Sequence, residues 1–260
     1  MSLLVWIVLF TLLGGVLSVL AAGLFLLLPE ATRARALHPM VSFAIGALLG
    51  AALLAILPHA LQAPGVRDPH VITGTVLLGL LVFFLLEKLV LWRHCHTDDC
   101  ETHAPHAAQS RPSAAGYLIV IGDGVHNFVD GVLIAAAFFT DLHLGIVTAI
   151  AVAAHEIPQE VGDFAVLLHS GFSRGKALFY NVVSSLTTVI GGVLAYFSFQ
   201  LAQAALPYVL AIAASSFIYI AVADLIPGLH KRVDPRATLQ QVLLIAAGIT
   251  FIYVAHVFLD

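Results

Sequence analysis

Two short stretches of this chain concentrate side chains capable of chemistry. The first, IGDGVHNFVDG at 121 to 131, sets His126, Asn127 and Asp130 at i+3, i+4 and i+7 from Asp123, so a helix would carry all four on one side. The second, HEIPQEVGDF at 155 to 164, puts His155 one turn from Gln159, and Glu156 one turn from Glu160 and two from Asp163. Imidazole, carboxamide and carboxylate groups facing one another from two helices form a ligand set for a divalent metal. Mixed nitrogen and oxygen ligands without thiolate suit Zn²⁺, Fe²⁺, Mn²⁺ or Co²⁺, and fit Cu⁺ or alkali ions poorly. The ligands suffice for two adjacent ions with Asp130 as the bridge. Shared, partly neutral ligands also bind weakly enough to pass an ion along.

The elements that must position these groups belong in a membrane. Of 260 residues, 60% are hydrophobic and 10% charged, and the mean hydropathy is +1.01, which is more apolar surface than a soluble domain of this size can bury. Eleven Lys and Arg against fifteen Asp and Glu give a net charge of −4, with no basic patch for nucleic acid, so that class of partner is excluded. Cys95 and Cys100, in one polar loop, are too few for a disulfide scaffold and read as a reduced or metal-binding pair. The chain is therefore read as a single all-α transmembrane domain over 1 to 260.

A bilayer core of about 30 Å needs about 20 apolar residues per helix. Stretches of that kind fall near 3 to 28, 40 to 62, 70 to 92, 116 to 139, 143 to 169, 175 to 202, 207 to 228 and 239 to 259, which predicts eight transmembrane helices. The first lacks the charged opening and small-residue cleavage site of a secretory leader and is read as a permanent helix. Arg33, Arg35, Arg93, Arg111, Arg174, Lys176, Lys231, Arg232 and Arg236 share one side, and Arg67 is the loop cation on the other. The positive-inside rule makes the first side cytoplasmic and puts both termini outside. A short chain of this kind fits a bacterial inner membrane.

Helices 4 and 5 are the two that read as dense in polar groups, a central pair flanked by two sets of three. Pro158 frees the carbonyl of Ala154 and implies a kink of the sort that lines a site. Gly122, Gly124, Gly131 and Gly162 are placed to let neighbouring helices approach. The polar stretch at 93 to 115, with His94, Cys95, His96, Cys100, His103 and His106, reads as a flexible cytoplasmic loop, either zinc-collecting or a plain solvated linker. His59, after Pro58 near the outer end of helix 2, fits a metal entrance or the interface equally well. His256 has apolar company in sequence and reads as a hydrogen-bonded core histidine, while His143, His169 and His230 sit at helix ends and read as interfacial.

An uncharged-glue reading of the central clusters is the bland alternative, but glue does not need five buried carboxylates. Asp123 and Asp163 read either as partners that orient a histidine or as waiting positions along a path, and Glu160 as either ligand or support.

HNFVDG at 126 to 131 and HEIPQEVGDF at 155 to 164, with eight predicted spans and a His-rich loop between helices 3 and 4, resemble the ZIP family of zinc and iron transporters. The likeness extends over essentially the whole chain and is greatest to the branch whose fifth helix reads His-Glu-x-Pro-His-Glu. Gln159 stands where that branch has its second His. The resemblance implies a mid-membrane binuclear site, a three-plus-three inverted repeat around helices 4 and 5, movement of zinc (or Fe²⁺, Mn²⁺ or Cd²⁺) into the cytoplasm, and often a homodimer. Carried over by position, one metal takes His126, Asp130, His155 and Gln159, and the other Asn127, Asp130 and Glu156. A sixth-helix carboxylate sometimes completes the second site in that family; Asp224, in helix 7, is the carboxylate considered for that place here.

The function expected is metal transport without covalent chemistry. An intramembrane zinc hydrolase would need His155-Glu156 to open an HExxH motif, and Gln159 occupies the position of its second His. A metal sensor that does not transport is the remaining alternative, and no folded output domain is apparent for it.

Overall fold

The computed structural model describes residues 1–94, 114–230 and 234–259. Among them the secondary structure is entirely helical. Eight helical segments follow one another: α1 (Leu3–Leu26), α2 (Glu30–Gln62), α3 (Pro69–His94), α4 (Ala114–Thr140), α5 (Leu142–His169), α6 (Arg174–Phe199), α7 (Gln203–Leu229) and α8 (Pro235–Leu259). All but α5 contain a stretch long and apolar enough to cross a membrane. At 28 residues α5 is longer than α6, and its His155, Glu156, Pro158 and Gln159 are what dilute its apolar character. The His- and Cys-bearing stretch from Cys95 to His106 lies outside the described residues.

Hydropathy located the helices well and one start poorly. α2 begins at Glu30, ten residues before the expected 40. Pro29 is held extended, and its carbonyl accepts from the N–H groups of Thr32 at 2.9 Å and Arg33 at 3.0 Å, which closes the first turn. The charged turns after it belong to the helix but not to its apolar part, so hydropathy marks the bilayer edge rather than the helix end. Pro39 lies inside the helix.

Short turns hold α4, α5 and α6 together. Asp141 alone separates α4 from α5, and its carboxylate accepts from His143 N at 2.8 Å and Leu144 N at 2.9 Å, capping α5. Between α5 and α6, Gly171 takes a left-handed φ of 88° while Phe172 N donates to Leu167 O at 3.1 Å, a C-terminal cap that a side chain at Gly171 would strain.

Packing within lipid depends on small residues, since apolar side chains gain nothing by leaving lipid for one another. A Cβ on Gly131 would overlap the carbonyl of Thr188, and one on Gly191 would overlap that of Phe128, so α4 and α6 touch backbone to backbone. Gly46 and Gly248 do the same for α2 and α8, against Ile245 and Phe43. Gly122 and Gly162, expected to serve close approach, face open space instead. Only 11% of the apolar window of α3 and of α8 is buried inside, against 61% for α2, so α3 and α8 form the lipid-facing rim. α4 packs on α6, α5 and α7, and α5 on α1 and α2, which puts α4 and α5 in the middle.

Three helices contain a π-helical turn: Leu13–Leu17 in α1, Ala51–Ile56 in α2 and Ile220–Leu225 in α7. The second and third run up to Pro58 and Pro227. A proline lacks the N–H that would bond the carbonyl four residues back, and its ring crowds that carbonyl, so the preceding turn widens. Each widened turn rotates the residues beyond it relative to a regular helix.

Gly131→Leu should drive α4 from α6 and destabilise the chain by about 1–3 kcal/mol or more, seen as a thermal midpoint lowered by several degrees in detergent. Gly162→Ala, made in open space, should leave the midpoint unchanged or slightly raised.

Candidate metal centre

His126 and Asp130 lie one turn apart on α4, and His155 and Glu156 are neighbours on α5. The two helices bring one ligand atom from each of these four residues within 4.8 Å of all the others. The closer approaches are His155 Nε2 to Asp130 Oδ2 at 3.3 Å, His126 Nε2 to Glu156 Oε1 at 3.4 Å and His126 Nε2 to His155 Nε2 at 3.4 Å. The wider ones are His155 Nε2 to Glu156 Oε1 at 3.7 Å and His126 Nε2 to Asp130 Oδ2 at 3.8 Å. A tetrahedral zinc with nitrogen and oxygen ligands at about 2.0–2.1 Å has ligand atoms about 3.3 Å apart, so these separations need little adjustment to close on an ion.

Burial adds to the case. Asp130, His155 and Glu156 are 0% exposed, and none of the four carboxylate oxygens of Asp130 and Glu156 has a hydrogen-bond partner. Carboxylates removed from water without donors are costly unless a cation meets them. His155 Nδ1 lies 3.1 Å from the carbonyl of Ala151, so that nitrogen carries the proton and Nε2 keeps a lone pair turned into the cluster. Phe217 of α7, fully buried, sets its ring 6.1 Å from that of His155 in a T-shaped contact and walls the site from one side.

The other sequence-predicted residues divide into two groups. Asp123, Gln159, Asp163 and Asp224 line, with His126 and Ile220, a cleft of about 320 Å³. His126 is the contact between cleft and cluster, its side chain 23% exposed. Asp224 reaches the cleft from the π-helical turn of α7. Asn127 is turned elsewhere: its Nδ2 donates to Asp123 Oδ1 at 2.9 Å and its Oδ1 accepts from Thr188 Oγ1 at 2.7 Å. Glu160 is fully buried with both carboxylate oxygens unpartnered, and its backbone carbonyl receives Asn181 Nδ2 at 3.5 Å.

One expectation about polarity is corrected. Helices 4 and 5 are not alone in their polar content, because α6 buries Asn181, Ser184, Ser185 and Thr188 along one face. Uncharged hydroxyls scarcely lower hydropathy, so the spacing of 181, 184, 185 and 188 was the signal available. Phe217 had no signal in sequence that set it apart from other apolar residues.

A family model for the ZIP zinc transporter matches residues 92–256 of the chain. The chain belongs to the ZIP family. Zinc transporter ZIP13 of Pongo abelii is 33% identical over 240 residues, covering 86% of this chain and 68% of that protein. Zinc transporter YKE4 of Saccharomyces cerevisiae is 31% identical over 237 residues, covering 83% and 67%. Human zinc transporter ZIP4 reaches 42% identity over a shorter 120 residues, 46% of this chain and 18% of its own. ZIP membership and the run of apolar helices make this an integral, multi-pass membrane protein. They also place it among transporters rather than enzymes, in keeping with the incomplete HExxH at Gln159.

Asp130→Asn should raise the thermal midpoint of the metal-free chain, because it removes a buried carboxylate that no donor meets. It should also abolish the stabilisation by zinc, about 2.7 kcal/mol at a hundredfold excess over Kd in the unchanged chain. Melting curves with and without zinc check both signs.

Proposed function

We propose that this chain carries zinc across the membrane into the cytoplasm, holding one ion on His126, Asp130, His155 and Glu156. The observation that carries the reading is a buried set of four ligand atoms that meets a polar cleft at one member, His126. The cleft belongs to the first half of α4 and the later parts of α5 and α7. The cation-bearing ends at Arg174, Lys176 and Arg236 lie toward the same side, so the positive-inside rule makes the cleft cytoplasmic and both termini external. The arrangement is then one that faces inward, and carriage requires a second one in which the wall containing Phe217 opens.

Selectivity and release follow from ligand type. Two imidazoles favour zinc over Mn²⁺, while carboxylates alone discriminate less. Along the cleft the ion would leave those imidazoles for Asp123, Asp163, Asp224 and the amide of Gln159, oxygen donors that hold a borderline ion less tightly. Asn127 keeps Asp123 in place through its hydrogen bond. A second ion on Asn127, Asp130 and Glu156 would require Asn127 to give up Thr188. Glu160, one turn beyond Glu156, is a further buried carboxyl beside the site.

Proteoliposomes holding the purified chain should show saturable uptake of radiolabelled zinc. His126→Ala, Asp130→Ala and Glu156→Ala, each verified as folded, should reduce it to the level of empty liposomes. Uptake undiminished in folded variants would overturn the reading.

A further inference from the structure

The histidines outside the central cluster are not all interfacial. His59 of α2 and His256 of α8, far apart in sequence, bring their rings to 5.4 Å between centroids at 64°. The two cluster histidines, His126 and His155, stand at 5.7 Å and 78°, and their Nε2 atoms are 3.4 Å apart. The second pair therefore has nearly the ring geometry of the first. His59 Nδ1 lies 2.8 Å from the carbonyl of Ala55, which fixes the proton on Nδ1 and leaves Nε2 as the ligand nitrogen. His155 is fixed in the same way by Ala151.

The backbone beneath this pair is closely packed. α2 and α8 run parallel, and the seam between them closes at Gly46 on Ile245 and at Gly50 on Ile249 and Ile252 before it reaches His59 and His256. Just before His59, the π-helical turn Ala51–Ile56 and Pro58 set the direction in which its ring leaves α2. The apolar company of His256 in sequence thus conceals a histidine partner on another helix.

We infer that His59 and His256 form a second metal site, a two-imidazole station for a borderline divalent ion such as zinc, at the end of α2 and α8. Its chemistry is that of partial coordination: two protein nitrogens with water completing the shell, tight enough to collect an ion and loose enough to surrender it. By the orientation proposed above, the site lies at the outer face, opposite the cleft, and serves as a capture point. That role rests on the transport reading; the existence of the site does not.

The test uses equilibrium binding of radiolabelled zinc to the purified full-length chain carrying Asp130→Ala and His155→Ala, so that the central cluster is disabled. Adding His59→Gln or His256→Gln should remove about one bound ion per chain, and unchanged stoichiometry in both would overturn the site. Size-exclusion profiles verify folding, and either substitution suffices if the other aggregates. In the otherwise unchanged chain, His59→Gln should raise the KM for zinc uptake about 3–10-fold, and an unmoved KM would overturn the capture role. If the unchanged chain takes up no zinc, the transport reading and the capture role fail together, and the binding result still decides the site.

Discussion

Two carboxylates removed from both water and hydrogen-bond donors organise this molecule. Asp130 and Glu156 sit in the middle of an apolar bundle with none of their four oxygens partnered, and such groups persist in a membrane only where something else compensates their charge. The proposed compensation is a divalent cation shared with the imidazoles of His126 and His155, whose ligand atoms lie within 4.8 Å of the carboxylates. Once that requirement is accepted, the remaining features follow in order. α4 and α5 must be adjacent, must be shielded from lipid, and must be reached by water from a side.

The rest of the helices meet those demands by close packing. Gly131 and Gly191 press α4 onto α6, so the polar face of α6 turns inward, where Thr188 donates to Asn127 and Asn181 to the carbonyl of Glu160. The Asp141 cap turns α4 directly into α5 and fixes their register. Phe217 closes one side of the site, and the turn of α7 that follows it carries Asp224 into the cleft. An apolar ring and an acidic cleft thus both border the same four ligands.

Much of this was legible in the sequence because lipid imposes a simple code. Apolar runs foretold the helical segments of the described residues, seven of them apolar enough to cross a membrane and α5 diluted by its polar groups, and ionisable residues inside them drew attention to α4 and α5. Spacing joined His126 to Asp130 and His155 to Gln159, whereas the structure gathers His126, Asp130, His155 and Glu156 and leaves Gln159 on the cleft. What the sequence did not convey depends on the direction a side chain takes. Asn127 shares the spacing of the ligands, yet Thr188 draws its amide toward α6. Asp224 reaches the cleft from a widened turn, and π-helical turns leave no clear mark in hydropathy. Gly122 and Gly162 looked like packing residues and face open space, while Gly46 and Gly248 do the packing between α2 and α8. His59 and His256 meet only because that seam forms, a contact no local pattern contains.

The most direct test is an anomalous difference map from crystals of the full-length chain grown with zinc. The account predicts a strong peak about 2.0–2.2 Å from His126 Nε2, His155 Nε2 and carboxylate oxygens of Asp130 and Glu156. Zinc peaks elsewhere in the molecule, with none among these four residues, would contradict it.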